Sequence, residues 1–328
     1  MKNLLVFMFV ALLMSNVFAD DQKTITVVLT STSGVRNNLM RLLTDQIQKS
    51  KPEVKFVYAF HPGAAELIGF QYLASQAPTG DKIGAFSINA LNSMAILNEK
   101  DLKVSVDKLS FVSHLAQTPT VIIANNRLQI NSPKEFMTYV RNSVVTVGGS
   151  GVSSLSYWLY IVDTMGINPK NLQYINYKDT TSGILDVVGN RIEFSASNIS
   201  DAAAMIRDGR VKVVGLASRQ RLAAFPDLPL IPDYIPGATF AATWALALPP
   251  GSTAEQVKFF QDMFMPALNR TDTLKFLDDG LMQSRPELQT PEAVVKYMLA
   301  LRKKWRPYIL PPGSQSRRKQ LTFCKKSV

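Results

Sequence analysis

Beyond residue 22 the chain alternates between short β-branched apolar runs and longer stretches with helical spacing. Residues 25–29, 54–58, 82–86 and 121–124 read as strands, and residues 39–48 as a helix between the first two. Ser132, Pro133 and Glu135 form a capping box with proline at the first helical position, which predicts a helix over 133–141. Strand patterns recur at 144–147, 172–177, 192–196 and 211–217, with helices between them, one at 182–188. This rhythm predicts an α/β architecture with largely parallel sheets. A second capping box, Ser252 to Glu255, follows Pro249, Pro250 and Gly251 and opens a purely helical C-terminal part. The roughly 300 residues beyond residue 22 exceed one comfortable sheet, so two lobes are expected.

The two ends change the picture. Lys2, an apolar stretch over 4–14 and Ala19 before Asp20 give residues 1–19 the form of a signal peptide cut after Ala19. The stretch is too short to cross a membrane comfortably, and no later run of about 20 apolar residues exists. The single cysteine, Cys324, allows no internal disulfide, and a chain of this size builds its core without one. The reading is an exported, periplasmic protein. The net charge of +11 suggests nucleic acid or membrane until it is located. Arg317, Arg318, Lys319, Lys325 and Lys326 lie in a tail without an acid, and residues 311–328 are expected to be disordered. The modest excess left elsewhere favours anionic ligands and is also compatible with an ordinary solvated basic surface.

The most informative stretch runs from Val144 to Leu155. A β-branched strand stops at Gly148 and Gly149, followed by Ser150, Gly151, Ser153, Ser154 and an apolar helix-compatible run. Glycines let amide groups point into a cleft, serines are expected to cap the helix, and its positive end suits a carboxylate or phosphate. It lacks the Lys-Ser/Thr of a Walker loop and the spaced glycines of a dinucleotide fingerprint. Four further polar strand ends accompany it. They are Thr30–Asn38, with Thr32, Ser33, Gly34, Arg36 and Asn37; Ser87 and Asn89; the turn at 176–181 with Thr180 and Thr181; and Ser195–Asn198. In open α/β sheets, ligands sit where such turns converge. One of them alone is an ordinary loop; five favour a polar cleft.

Catalysis has thin support. His61 sits in a turn and His114 in an apolar strand-like stretch, and each reads as structural. No nucleophile elbow and no metal-ligand cluster is present in the sequence. A hydrolase using Ser150 or Ser153 would lack a placed histidine. No catalytic residue, metal or cofactor is expected. Trp244 reads as core, with a cleft wall as the alternative.

Across residues 23–307 the chain resembles the receptors of tripartite tricarboxylate transporters, the Bug-type extracytoplasmic solute-binding proteins. The resemblance is carried by His61-Pro62-Gly63, Ile68-Gly69, Ala77 to Gly80, Val147 to Ser154 and Tyr177-Lys178. Further on it is carried by Gly189 to Glu193, Arg207 to Lys212, Phe225 to Pro229, and Trp244 with Pro249 to Gly251. It implies a two-lobed, type II periplasmic-binding-protein fold. It also implies closure on a small organic acid, usually dicarboxylic, held by loop N–H groups, hydroxyls and water, and docking on a membrane permease. Four departures withdraw any ligand assignment by analogy. The first loop lacks the family's prolines, one glycine and its acid, ending instead at Asn37. Asp179 and Ser153 stand for glycines, and Ser197 stands for an acid.

The combined reading is a monomeric periplasmic receptor that captures a carboxylate and delivers it to a tripartite transporter. A ligand-sensing adaptor for a membrane signalling protein is the alternative. Lobe one is expected over 23–118 and 249–310, and lobe two over 119–248, with hinge strands near Thr118 and Leu248. Thr32, Ser33, Gly34, Arg36, Asn37, Ser87 and Asn89 are the expected ligand residues of lobe one. Ser150, Gly151, Ser153, Ser154, Thr180, Thr181 and Asn198 are those of lobe two. Arg36 could fork onto a ligand carboxylate or lie solvated on the loop's outer side.

Overall fold

β-Branched runs bounded by polar turns form the strands of the computed structural model, which describes residues 22–97 and 102–310. The expected leader (1–19) and tail (311–328) lie outside the described residues. Nine strands are present among them: β1 (Lys23–Leu29), β2 (Val54–Phe60), β3 (Lys82–Ser87), β4 (Ser110–Ala124), β5 (Val145–Ser150), β6 (Leu172–Tyr177), β7 (Phe194–Asn198), β8 (Lys212–Leu216) and β9 (Ala241–Leu248). The helices, in order, are α1 (Val35–Ser50), α2 (Leu67–Ala74), α3 (Ile88–Leu97), α4 (Pro133–Asn142), α5 (Gly151–Thr164), α6 (Thr180–Val188), α7 (Ile199–Arg207), α8 (Ala254–Leu268), α9 (Thr271–Asp279) and α10 (Pro291–Ile309).

The sheet runs β2-β1-β3-β9-β4-β7-β5-β6, with β8 also on β4. β1 is parallel to β2 and β3, and β5 is parallel to β6 and β7. The expectation of largely parallel sheets holds for these two sets alone. β4 and β9 run antiparallel to each other, β9 also to β3, and β4 to β7 and β8. These two strands carry the chain between the two halves. β4 pairs with β9 over Ser110–Pro119 and with β7 over Thr120–Ala124. At the crossing the Thr120 N–H donates to the Phe240 carbonyl, and the Ala217 N–H to the Thr120 carbonyl.

Four apolar clusters cover the faces of this sheet. Leu39, Leu43 and Phe264 close one face of the first half, and Phe70, Leu91 and Met298 close the other. In the second half, Phe136, Trp158 and Trp305 pack on one face, and Ile184, Ile199 and Ala203 on the other. Trp244 joins the first cluster at 9 % exposure, as a core residue. α10 belongs to both halves, since Val294 and Met298 lie in one core and Trp305 and Ile309 in another.

Two capping expectations need correction. The box before α8 is Thr253 with Gln256, one residue later than expected, and both of its hydrogen bonds form. Before α4, Ser132 accepts from the Glu135 N–H, but the Glu135 carboxylate reaches the Asn131 N–H instead of that of Ser132.

Candidate functional site

The turn after β1 enters α1 at Val35, four residues before the expected start at 39, because nothing between Gly34 and Leu39 breaks a helix. Gly34 is its N-cap with φ 109°, a conformation open to glycine, and it gives no side-chain cap. Thr32, Ser33 and Gly34 are exposed, whereas Arg36 and Asn37 fall in the first helical turn and are buried. The Asn37 amide is spent on the loop itself: Nδ2 donates to the Ser31 carbonyl and Oδ1 accepts from the Ser31 hydroxyl.

Arg36 takes neither orientation expected for it. The residue is 7 % exposed, and its guanidinium donates through Nη1 to Oε1 of Glu66 at 2.7 Å. Nη2 donates to the hydroxyls of Thr30 and Ser31, and Nε is buried with no partner. The other oxygen of Glu66 accepts from the Ser87 N–H at 2.9 Å. The Ser87 hydroxyl accepts from the Ala90 N–H and so caps α3. Asn89 donates to the Ala241 carbonyl and leaves its own Oδ1 buried without a partner. Glu66 is the residue that sequence reasoning missed. It ends a run of three left-handed residues, Ala64, Ala65 and Glu66, with φ of 47°, 50° and 75°.

In the second half, β5 ends and α5 begins within one residue. Gly148 is required because a Cβ there would lie 2.6 Å from Ile192 and 2.9 Å from the Tyr177 ring. Gly149 is required because its Cβ would lie 2.7 Å from that of Ser154 and closer still to the Ser154 hydroxyl. The expected serine cap does not form: Ser150 is the N-cap residue, but its hydroxyl reaches the Lys178 carbonyl at 3.5 Å. The Gly151 N–H instead donates to Asn176 Oδ1 at 2.9 Å, a partner on the neighbouring strand. Tyr174 donates to the Gly151 carbonyl. The Ser154 hydroxyl is buried with no partner. Ser153 meets Ser93 of α3 across the two halves, oxygen to oxygen at 3.2 Å. Beside that pair Asn89, Ser153, Ser156 and Trp305 line a cavity of about 10 Å³, the size of one water.

The remaining candidates form a smaller group. Thr180 and Asn198 both donate to Oδ2 of Asp201, at 2.5 and 3.1 Å. Thr181 is exposed on the first turn of α6. Asp179 caps that helix, accepting from the Ser182 N–H and hydroxyl, and these bonds hold its carboxyl below the usual carboxylate range. The structure thus joins Arg36 to Ser87 through Glu66, Ser153 to α3, and Thr180 to Asn198 through Asp201. Thr32, Ser33, Gly34 and Thr181 make no such link.

Neither histidine meets a candidate serine. His61 stacks on Tyr72 with ring centroids 3.8 Å apart. His114 is 1 % exposed inside β4, where burial, and secondarily the charge of Arg285, lowers its pKa to about 3.

The chain matches the model of the tripartite tricarboxylate transporter family receptor over residues 39–309. A UPF0065 protein of Bordetella bronchiseptica is 25% identical over 219 residues, 66% of this chain and 64% of the relative. The match therefore spans less than two thirds of that relative's length. A TctC solute binding protein from Polaromonas, solved without ligand, superposes with a TM-score of 0.73 at 20% identity, covering 87% of this chain and 97% of that one. MatC from Rhodopseudomonas palustris, solved with bound malate, gives 0.70 at 21% identity over 88% of this chain and 99% of that one. At these identities the superpositions establish the two-lobed periplasmic-binding-protein fold.

Proposed function

The chain belongs to the tripartite tricarboxylate transporter receptor family, a family of solute-binding receptors and not of enzymes, and on that premise we propose that it captures a small organic carboxylate in the periplasm for delivery to a membrane permease. The binding of malate by MatC supports a carboxylate as the ligand class. Among the described residues no helix is long and apolar enough to cross a membrane.

One observation carries the reading. The turn into α5 gathers a helix N-terminus, two glycines that admit close approach and a buried Ser154 hydroxyl with no partner. A carboxylate at that turn would accept from the Gly151 N–H and from Ser154, and gain from the helix dipole. Ser150, Ser153, Thr180, Thr181 and Asn198 would complete the second lobe's side of the cleft. Thr32, Ser33, Gly34, Asn37, Ser87 and Asn89 would line the first lobe's side. The lobes in this reading are residues 23–118 with 249–310, and 119–248. The pairing of β9 with β3 and β4 supports one change to that division, moving Ala241–Leu248 to the first lobe, with hinges at 119–120 in β4 and just before Ala241.

The test is a thermal-shift screen against a carboxylate panel, followed by calorimetry on the best ligand. A ligand that binds only the folded form raises Tm by mass action. Replacing Ser150 and Ser154 together by alanine weakens its binding by roughly 1–3 kcal/mol. Small-angle scattering shows a smaller radius of gyration for the loaded protein, as lobe closure requires. Unchanged affinity in the folded double variant refutes the site.

A further inference from the structure

The first half already holds a carboxylate, its own. We infer that Glu66 sets the specificity of that half, reserving the receptor for organic acids with one carboxylate and a neutral oxygen at the far end. The inference rests on the carboxylate-receptor reading above.

Glu66 lies between the C-terminal ends of β1 and β3. One of its oxygens takes the Arg36 guanidinium and the other takes the Ser87 N–H at the entrance to α3. A guanidinium beside a helix-entry amide is the pair of donors that a ligand carboxylate would seek. The backbone maintains this occupation at a cost. Ala64, Ala65 and Glu66 all have positive φ, which for residues with a Cβ costs about 1–2 kcal/mol each. Such a run persists where the surroundings over-determine it.

What remains open to a ligand is narrow. The Glu66 side chain is 16% exposed and that of Arg36 8%, so the ion pair is nearly closed. The guanidinium nitrogen left with no partner at all is Arg36 Nε, which is buried. A second carboxylate brought to Nε would sit against Glu66, and two carboxylates sharing one site repel strongly. A hydroxyl or carbonyl oxygen accepts from Nε without that repulsion. The turn into α5 differs, because its Gly151 N–H rests on the neutral Asn176 amide. The nearby Asp179 carboxylate is exposed, so solvent and salt screen its charge in a way they cannot for Glu66. The single charge of the ligand belongs there.

The experiment is calorimetry with pairs of acids matched in length, 4-hydroxybutyrate against succinate and 6-hydroxyhexanoate against adipate. Wild type is expected to bind the hydroxy acid of at least one pair roughly tenfold more tightly than the diacid, or better. Glu66→Gln frees the positive charge of Arg36, so the diacid gains roughly tenfold or more while the hydroxy acid changes little. A double variant, Arg36→Met with Glu66→Gln, removes that charge and abolishes the diacid's gain. Wild type that binds the diacid as tightly as the hydroxy acid overturns the assignment, even if Glu66→Gln does not fold. So does a folded Glu66→Gln with an unchanged preference. Absence of binding by all four acids and the wider carboxylate panel overturns the receptor reading and this assignment together. A diacid preference in wild type overturns this assignment alone.

Discussion

The turns after β1 and β5 both deliver a helix N-terminus without a side-chain cap, and they satisfy the surrounding donors in opposite ways. After β1, the donors are locked onto a charged partner, since Arg36 and the Ser87 N–H share the carboxylate of Glu66. After β5, the Gly151 N–H rests on a neutral amide and the Ser154 hydroxyl rests on nothing. A neutral hydrogen bond is worth about 1 kcal/mol net and can be exchanged for a ligand. A buried ion pair cannot be opened so lightly, because the partner left behind stays charged and desolvated. The first turn spends its charge on structure and leaves a ligand only Arg36 Nε; the second is available.

The largest effect that sharpens this contrast is Glu66→Ala. It leaves the Arg36 charge buried and unpaired, and we expect a loss of about 3 kcal/mol in urea unfolding. Removing Arg36 as well should recover part of that loss, and a double-mutant cycle measures how much. A loss under about 0.5 kcal/mol for Glu66→Ala would erase the distinction between the turns. Gly149→Ala comes next. Its Cβ has to displace both heavy atoms of the Ser154 side chain, so a loss of about 2 kcal/mol is expected, with weakened ligand binding. Asp179→Ala removes the cap of α6 and should cost about 1 kcal/mol, read from the same unfolding curves. Smallest is Ser154→Ala. Because its hydroxyl has no partner, its loss should leave stability within about 0.5 kcal/mol of wild type while lowering ligand affinity. Equal losses in both measurements would show the hydroxyl to be structural and the second turn to be no more available than the first.

The two turns are also unequally legible in the sequence. Gly148, Gly149 and Gly151 announce an unusual turn, read as one that points amides into a cleft, and the structure uses the first two for the close packing of Ile192, Tyr177 and Ser154. Glu66 announces nothing, for Ala64-Ala65-Glu66 reads as an ordinary helix start and its role depends on three left-handed residues without glycine. Strands show a similar split. β6 has the residues expected for it, but of the 15 residues of β4 only 121–124 are bounded as a strand, with a strand-like stretch at His114 and a hinge strand near Thr118 left without bounds. His114, Gln117, Thr118 and Thr120 interrupt its apolar pattern, and all are buried where the strand runs between other strands. β9 has the sequence AATWALAL, whose alanines and leucines favour helix, and its neighbours β3 and β4 decide otherwise. The family resemblance is legible throughout, because it rests on the order of many short motifs and not on any one of them.

α10 has a consequence for how the molecule assembles. Val294 and Met298 complete a core in the first half, and Trp305 and Ile309 complete one in the second. Neither half can exclude water fully until residues 291–309 are in place. The last helix therefore acts as a common clasp, and docking it should be a late step that both halves wait for. Calorimetric melting should then give one transition with matching calorimetric and van't Hoff enthalpies, where two independent domains would give two. Weakening the clasp at Trp305 should lower the melting of both halves at once, although that side chain touches only one of the cores.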